Sequence, residues 1–261
     1  MTAPKASKGQ PRRFDTRSPL RRFPVNMDRR QALSLRGITF SIDMIDVAYS
    51  RLVETLEKLS EPEYKDLYGS SVEALLDAWA IVDHVHRLRG LLQQMPGVKR
   101  SPEFRLFLER TATFETFRNT IQHLREEIRD MAVNQQAVWG AVSWLTALDP
   151  KLTLLRSSCV QYGAMINSGE AILFPVAGLM RSRIDQVRLT HVGHEVGLSD
   201  GAWEIHQFSK KLEIALKKPL ADVAENVSYQ GAVQIISLDI APDWSQDQSA
   251  INTESNSSPD K

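Results

Sequence analysis

The stretch SPEFRLFLERTATFETFRNTIQHLREEIRDM, residues 101–131, decides how this chain is read. Phe104, Phe107, Leu108, Phe114, Phe117, Ile121, Leu124, Ile128 and Met131 recur mostly at intervals of three and four, the period of a helix that buries one stripe. Ser101 supplies a hydroxyl that can cap free amides, and Pro102 suits the first helical position. The spacing therefore predicts one long helix from 101 to about 134.

Working outward, the same period runs upstream through two more segments. Residues 30 to 59 carry Ile38, Ile42, Ile45, Tyr49, Leu52, Val53, Leu56 and Leu59 on a stripe. Residues 64 to 94 carry Val72, Leu75, Leu76, Trp79, Val82, Val85, Leu88 and Leu92, and stop before Met95-Pro96-Gly97. Helices of this length must bury their stripes against one another, so 27–134 reads as an antiparallel helical bundle.

Downstream of about 136 the pattern shifts to short runs rich in Val, Leu, Thr and aromatic residues. Candidate strands are 137–146, 152–162, 171–175, 184–191, 194–198 and 232–240, with turns at Asn167-Ser168-Gly169 and Val192-Gly193. Ser199 or Asp200 is placed to cap a helix near 200–217, which Lys217-Lys218-Pro219 would close. No βαβ alternation appears, so 135–241 reads as an antiparallel sheet with one packing helix. The fold class is α+β.

The ends have a different character. Residues 1–26 hold seven Lys and Arg against Asp15 alone and are rich in Pro and Ser, the composition of a disordered basic arm. Such an arm can tether RNA or another acidic partner, or simply aid solubility. Residues 242–261 form a polar tail with a net charge of −3, which leaves −3 on 27–241. That balance argues against a strongly basic nucleic-acid-binding surface on the body. The single cysteine, Cys159, excludes an intramolecular disulfide and any zinc site built on several thiolates. With no apolar run long enough to span a bilayer and no signal-peptide core, a cytoplasmic protein without membrane contact is expected.

Chemistry concentrates in FRNTIQHL, residues 117–124. At 100° per residue, Asn119 and His123 lie about 160° and 200° from the stripe centred on Ile121, and Arg118 lies about 60° from it. Two of the three groups thus point away from the bundle. The guanidinium of Arg118 can reach outward along apolar surface. An imidazole can take a proton from a 2′-hydroxyl near neutral pH, a guanidinium can hold a phosphate that gains charge, and an amide can orient either. No metal or cofactor is needed. The same residues also fit an ordinary solvated face with contacts to Glu115, Gln122 or Glu126, or a surface that binds a ligand or partner.

Arg118, Asn119 and His123 in RNTIQH resemble the R-N-x3-H form of the HEPN motif (higher eukaryotes and prokaryotes nucleotide-binding), carried on a late helix of a helical bundle. The resemblance covers about 30 to 134, and the β-rich remainder has no counterpart in the minimal domain. It implies a metal-independent RNA endonuclease of toxin or defence type, with Arg118, Asn119 and His123 as catalytic residues. Arg and His of two protomers would meet across a homodimer, and Asp77 or Asp83 on the preceding helix could add an acidic group. Several members of that superfamily bind without cleaving, which keeps a non-catalytic binding or scaffold module as the alternative.

Other clusters read as structural. His84 and His86 are about 200° apart on a helix and cannot grip one ion. His191 and His194 flank a turn with no third ligand nearby, and Cys159 alternates within a strand as a small core residue. Trp139, Trp144 and Trp203 read as packing for the sheet and its helix.

Overall fold

Helix α1, Arg29–Leu59, starts where the Asp28 carboxylate accepts hydrogen bonds from the backbone N–H groups of Arg30 and Gln31, both at 3.0 Å. Helix α2, Leu67–Gln94, is capped in the same way by Asp66, which accepts from the Gly69 amide. In this computed structural model the described residues are Phe14, Ser18, Leu20, Arg21, 27–95, 101–121, 128–129, 131–132, 137–162 and 180–221. The chain falls into two units, Met1–Gln230 and Gly231–Lys261, and the second lies outside the described residues. The candidate strands at 171–175 and 232–240 and the tail at 242–261 lie outside them as well.

The first two helices are joined by a short turn and bury Ile38, Ile42, Ile45, Leu52 and Leu56 of α1 with Ala78, Ile81, Val85, Leu88 and Leu92 of α2. The stripe expected on α2 needs correction. Val72 and Leu76 are 47% and 60% exposed, whereas Ser70, Ser71 and Asp77 are buried. The helix buries a broad arc because it touches α1, the motif helix and the sheet, so a simple three-and-four count misplaces its edge.

Over its described residues 101–121 the third segment is two helices, not one. Helix α3 runs Pro102–Arg110 with Ser101 accepting from the Phe104 amide, as its sequence indicates, and α4 runs Ala112–Ile121. The break sits at Thr111. Its hydroxyl donates back to the Phe107 carbonyl at 2.7 Å, while Arg89 of α2 donates to the Leu108 carbonyl. A carbonyl occupied by a side chain from another helix no longer serves its own ladder, and a Thr bonded back four residues bends the helix further.

Among the described residues four antiparallel strands follow: β1 Ala141–Ala147, β2 Leu155–Gln161, β3 Ile184–His191 and β4 His194–Gly197, in the order β2-β1-β3-β4. All seven residues of central β1 are buried, so it reads as a continuous run instead of alternating. The register between β1 and β3 shifts at Ser143/Leu145, where Gln186 adopts a φ of 50°, a bulge that re-aims the strand. Gly140, just before β1, has a φ of 74°, and a Cβ there would stand 2.1 Å from the Thr190 carbonyl oxygen.

The last helix among the described residues, α5, spans Leu198–Ala221. Ser199 lies inside its first turn and is no N-cap. Its hydroxyl accepts from the Tyr49 hydroxyl and from the Val187 amide, both at 2.9 Å. Nor does Lys217-Lys218-Pro219 end the helix, which continues two residues further. This is an α+β fold, with helices followed by an antiparallel sheet and a closing helix.

One core spans the helices and the sheet: Val142, Trp144, Ile184, Val187, Leu189, Leu198 and Ile205 join the cluster of α1 and α2. The expected division at 134/135 is therefore not a boundary between independent cores. Ser60, after α1, shows the join, accepting from the Trp144 indole N–H at 2.9 Å and meeting the Thr146 hydroxyl at 2.9 Å. Trp144 is buried as expected, but Trp139 and Trp203 are about half exposed. The basic arm is also not wholly free. Leu20 is fully buried, its carbonyl accepts from Thr39, and Arg21 pairs with Asp43 at 2.7 Å. A buried leucine outweighs the local composition.

Candidate functional site

Helix α4, which carries the motif, is fixed from three directions. From α2, the Arg89 guanidinium, 5% exposed, donates to the Leu108 carbonyl, to the Thr111 hydroxyl at 2.6 Å and to Glu115 at 2.7 Å. The Glu115 end of that pair is 45% exposed, so the weight of the contact lies in the buried Leu108 and Thr111 acceptors, whose loss of a donor costs about 1–3 kcal/mol. From α5, the Gly201 backbone presses on the Phe114 ring, where an added Cβ would come within 2.2 Å of Cζ. From the sheet, His191 lies 6.4 Å from the Phe117 ring, with Trp79 of α2 5.2 Å from Phe117. Trp79 and His191 are held in turn by the backbone carbonyls of Trp139 and Val138.

With Phe114 and Phe117 facing inward, residues 118 and 119 come to the surface between α4 and α2. Arg118 is partly exposed and its Nε lies 3.7 Å from Asp83 Oδ1, and Asn119 is exposed. His123 lies outside the described residues, so its place relative to Arg118 is not described. Of the three sequence candidates, Arg118 lies half-buried at the seam with α2 and Asn119, about 100° further round the helix, is exposed.

Of the two acidic candidates, the carboxylate that meets the motif is Asp83. It also accepts from Arg87 Nε at 2.7 Å, so two guanidiniums converge on one acid. Burial pushes the Asp83 carboxyl up, but the Arg87 hydrogen bond and the charges of Arg87 and Arg118 hold it below the usual carboxylate range. Next to it, burial lowers the His84 imidazole despite the Asp83 charge. Asp77 is instead directed at α1, where its Oδ1 lies 3.3 Å from Arg51, and its buried Oδ2 has no hydrogen-bond partner among the described residues.

Of two further groups of this seam, Arg89 was not singled out from the sequence and His86 was read there only as structural. Arg89 falls on the apolar arc of α2, four residues after Val85 and three before Leu92, and a cation in that register is the signal of a buried partner. His86, three residues from both Asp83 and Arg89, has a buried Nδ1 without a hydrogen-bond partner among the described residues. An unsatisfied buried polar atom of this kind costs about 1–3 kcal/mol.

The remaining candidates do not assemble a centre. His191 is 3% exposed while His194 is exposed, and among the described residues no three His, Cys, Asp or Glu side chains gather where a metal ion could be held. Burial pushes the Cys159 thiol up to about 11, which leaves it a weak nucleophile. A shallow cavity of about 230 Å³ lies beside the motif helix, lined by Ala112, Thr113, Thr116, Phe117, His194 and Glu195. No helix among the described residues is long and apolar enough to cross a membrane. No family model, no curated protein and no solved structure matches this chain.

Proposed function

We propose that the chain is a metal-independent RNA endonuclease of the HEPN type, with Arg118 as phosphate clamp, Asn119 as orienting group and His123 as general base or acid. The observation that carries the reading is the charge count at the seam between α2 and α4. Among the described residues Arg87 and Arg118 share the single carboxylate of Asp83, which leaves one positive charge there, next in sequence to the exposed Asn119, for an incoming anion. A phosphate is the anion such a guanidinium pair suits, and the charge it gains in the transition state would be stabilised there.

In the reaction, an imidazole takes the 2′-hydroxyl proton, O2′ bonds to the adjacent phosphorus, and the P–O5′ bond breaks as O5′ receives a proton. The products are a 2′,3′-cyclic phosphate and a 5′-hydroxyl, with no oxidant, cofactor or metal consumed. Two copies would meet through the motif helix to form the complete site, in a cytoplasmic enzyme of toxin or defence type. Purified full-length chain is expected to cleave single-stranded RNA in excess chelator, with Arg118→Ala and His123→Ala each lowering the rate about 100-fold or more. RNA left intact by concentrated wild-type protein would sink the proposal.

A binding or scaffold module is the second reading. It is favoured by the exposed Tyr68, Val72 and Leu76, one turn apart on α2, with Tyr162 5.4 Å from Tyr68. Contiguous apolar side chains left in water mark interaction surfaces more often than chance.

A further inference from the structure

The contacts between α2 and α4 define an antiparallel register. Arg89 meets Thr111 and Glu115, Asp83 meets Arg118, and Trp79 meets Phe117. On a 100° wheel, Trp79, Asp83 and Arg89 span a sector of about 120°, and His86 falls within about 10° of its mean direction. Along the axis His86 lies about 4.5 Å from each of Asp83 and Arg89, so it stands opposite the stretch from Glu115 to Arg118.

His86 is half-buried, and its Nδ1 is covered without a hydrogen-bond partner among the described residues. The other charged side chains of this seam each have at least one partner, although Arg89 Nε is likewise buried without one among the described residues. Asp83 holds Arg87 and Arg118, and Glu115 holds Arg89. Charges facing His86 therefore come from Asp83, Arg87 and Arg89 on its own helix and from Glu115 and Arg118 across the seam. Among the described residues His86 is the titratable side chain of this seam with no hydrogen bond or ion pair at all, whereas Arg89 leaves only its Nε unpartnered.

We infer that His86 is a second imidazole of the site, contacting the same phosphate group that Arg118 holds. The inference rests on the RNA-directed reading of this seam and adds a residue on α2 to a motif confined to α4. A neutral imidazole donates from one nitrogen, and an imidazolium from both, so His86 can hydrogen-bond a phosphate oxygen in either state. Its place on a rigid helix beside Asp83 would set the phosphate between α2 and α4 and not on α4 alone.

The test titrates the full chain with a single-stranded RNA oligonucleotide bearing 2′-O-methyl groups, which binds without being cleaved. Imidazole ring resonances, assigned through couplings to the backbone, are followed by NMR, and affinity by fluorescence anisotropy. The His86 resonances are expected to move on binding in the wild type and to stay fixed in Arg118→Ala. His86→Gln is expected to weaken binding about three- to tenfold with the melting temperature unchanged. RNA binding that depends on Arg118 while the His86 resonances stay still would overturn the role of His86 and leave the RNA reading standing. Absence of any RNA binding would overturn both. If His86→Gln does not fold, the wild-type resonances alone decide.

Discussion

Asp77→Asn tests the account of the α1–α2 interface on one carboxylate. Burial, with a smaller push from the Glu73 charge and against the opposing charge of Arg51, raises the Asp77 carboxyl from 3.8 to about 6. The folded state thus holds this proton more tightly than the unfolded chain. The stability it contributes is complete below about pH 3.8 and is lost as pH rises through about 6. About two units correspond to roughly 3 kcal/mol at neutral pH. Asparagine removes that charge but places an N–H where the Oδ2 atom has no partner, at about 1–2 kcal/mol, and gives up an ion pair with a half-exposed Arg51 worth less than about 1 kcal/mol. The variant is therefore expected to be more stable than wild type at pH 7.5, by about 1 kcal/mol. At pH 5 the difference should shrink or reverse, because wild-type Asp77 is then mostly protonated. Urea unfolding followed by circular dichroism from pH 5 to 8 measures both. Parallel stability curves for the two proteins, or a variant clearly weaker at pH 7.5, would refute the reasoning.

Two further outcomes follow from contacts described above. Arg89→Met should lower stability by about 1–3 kcal/mol, since it leaves the Leu108 carbonyl and Thr111 without their shared donor while the half-exposed Glu115 returns to water, and a change below about 0.5 kcal/mol in denaturant unfolding would show that the guanidinium does not hold the bend. Leu20→Ala should cost about 2–5 kcal/mol in the same measurement, and a loss within about 0.5 kcal/mol would mean that the basic arm is not anchored at this residue.

Local signals were readable and remote ones were not. Ser101-Pro102 announces α3 because the cap and its helix are neighbours, and 184–191 reads as a strand whose observed ends are the same. The bend at Thr111 has no local cause strong enough to read, since its key donor comes from Arg89, 22 residues away. Val72 and Leu76 keep helical spacing yet face water, because the extent of the buried arc on α2 depends on what stands around it. Leu20 was hidden by the basic residues on either side. At the site, the outward face of Asn119 and the place of Arg118 at the edge of the stripe follow from the wheel alone. The identity of the pairing acid, Asp83 and not Asp77, required the crossing geometry of two helices.

The elbow at Thr111 shapes how this chain can drift and how it should be sought. Because one guanidinium on α2 sets the angle, substitutions on the outer side of α3, at Glu103, Arg105 or Glu109, can accumulate without swinging Arg118 off its heading. The unit that aims the motif is α2 packed on α4. A search template drawn as one straight rod through 101–131 would carry the motif along the wrong axis.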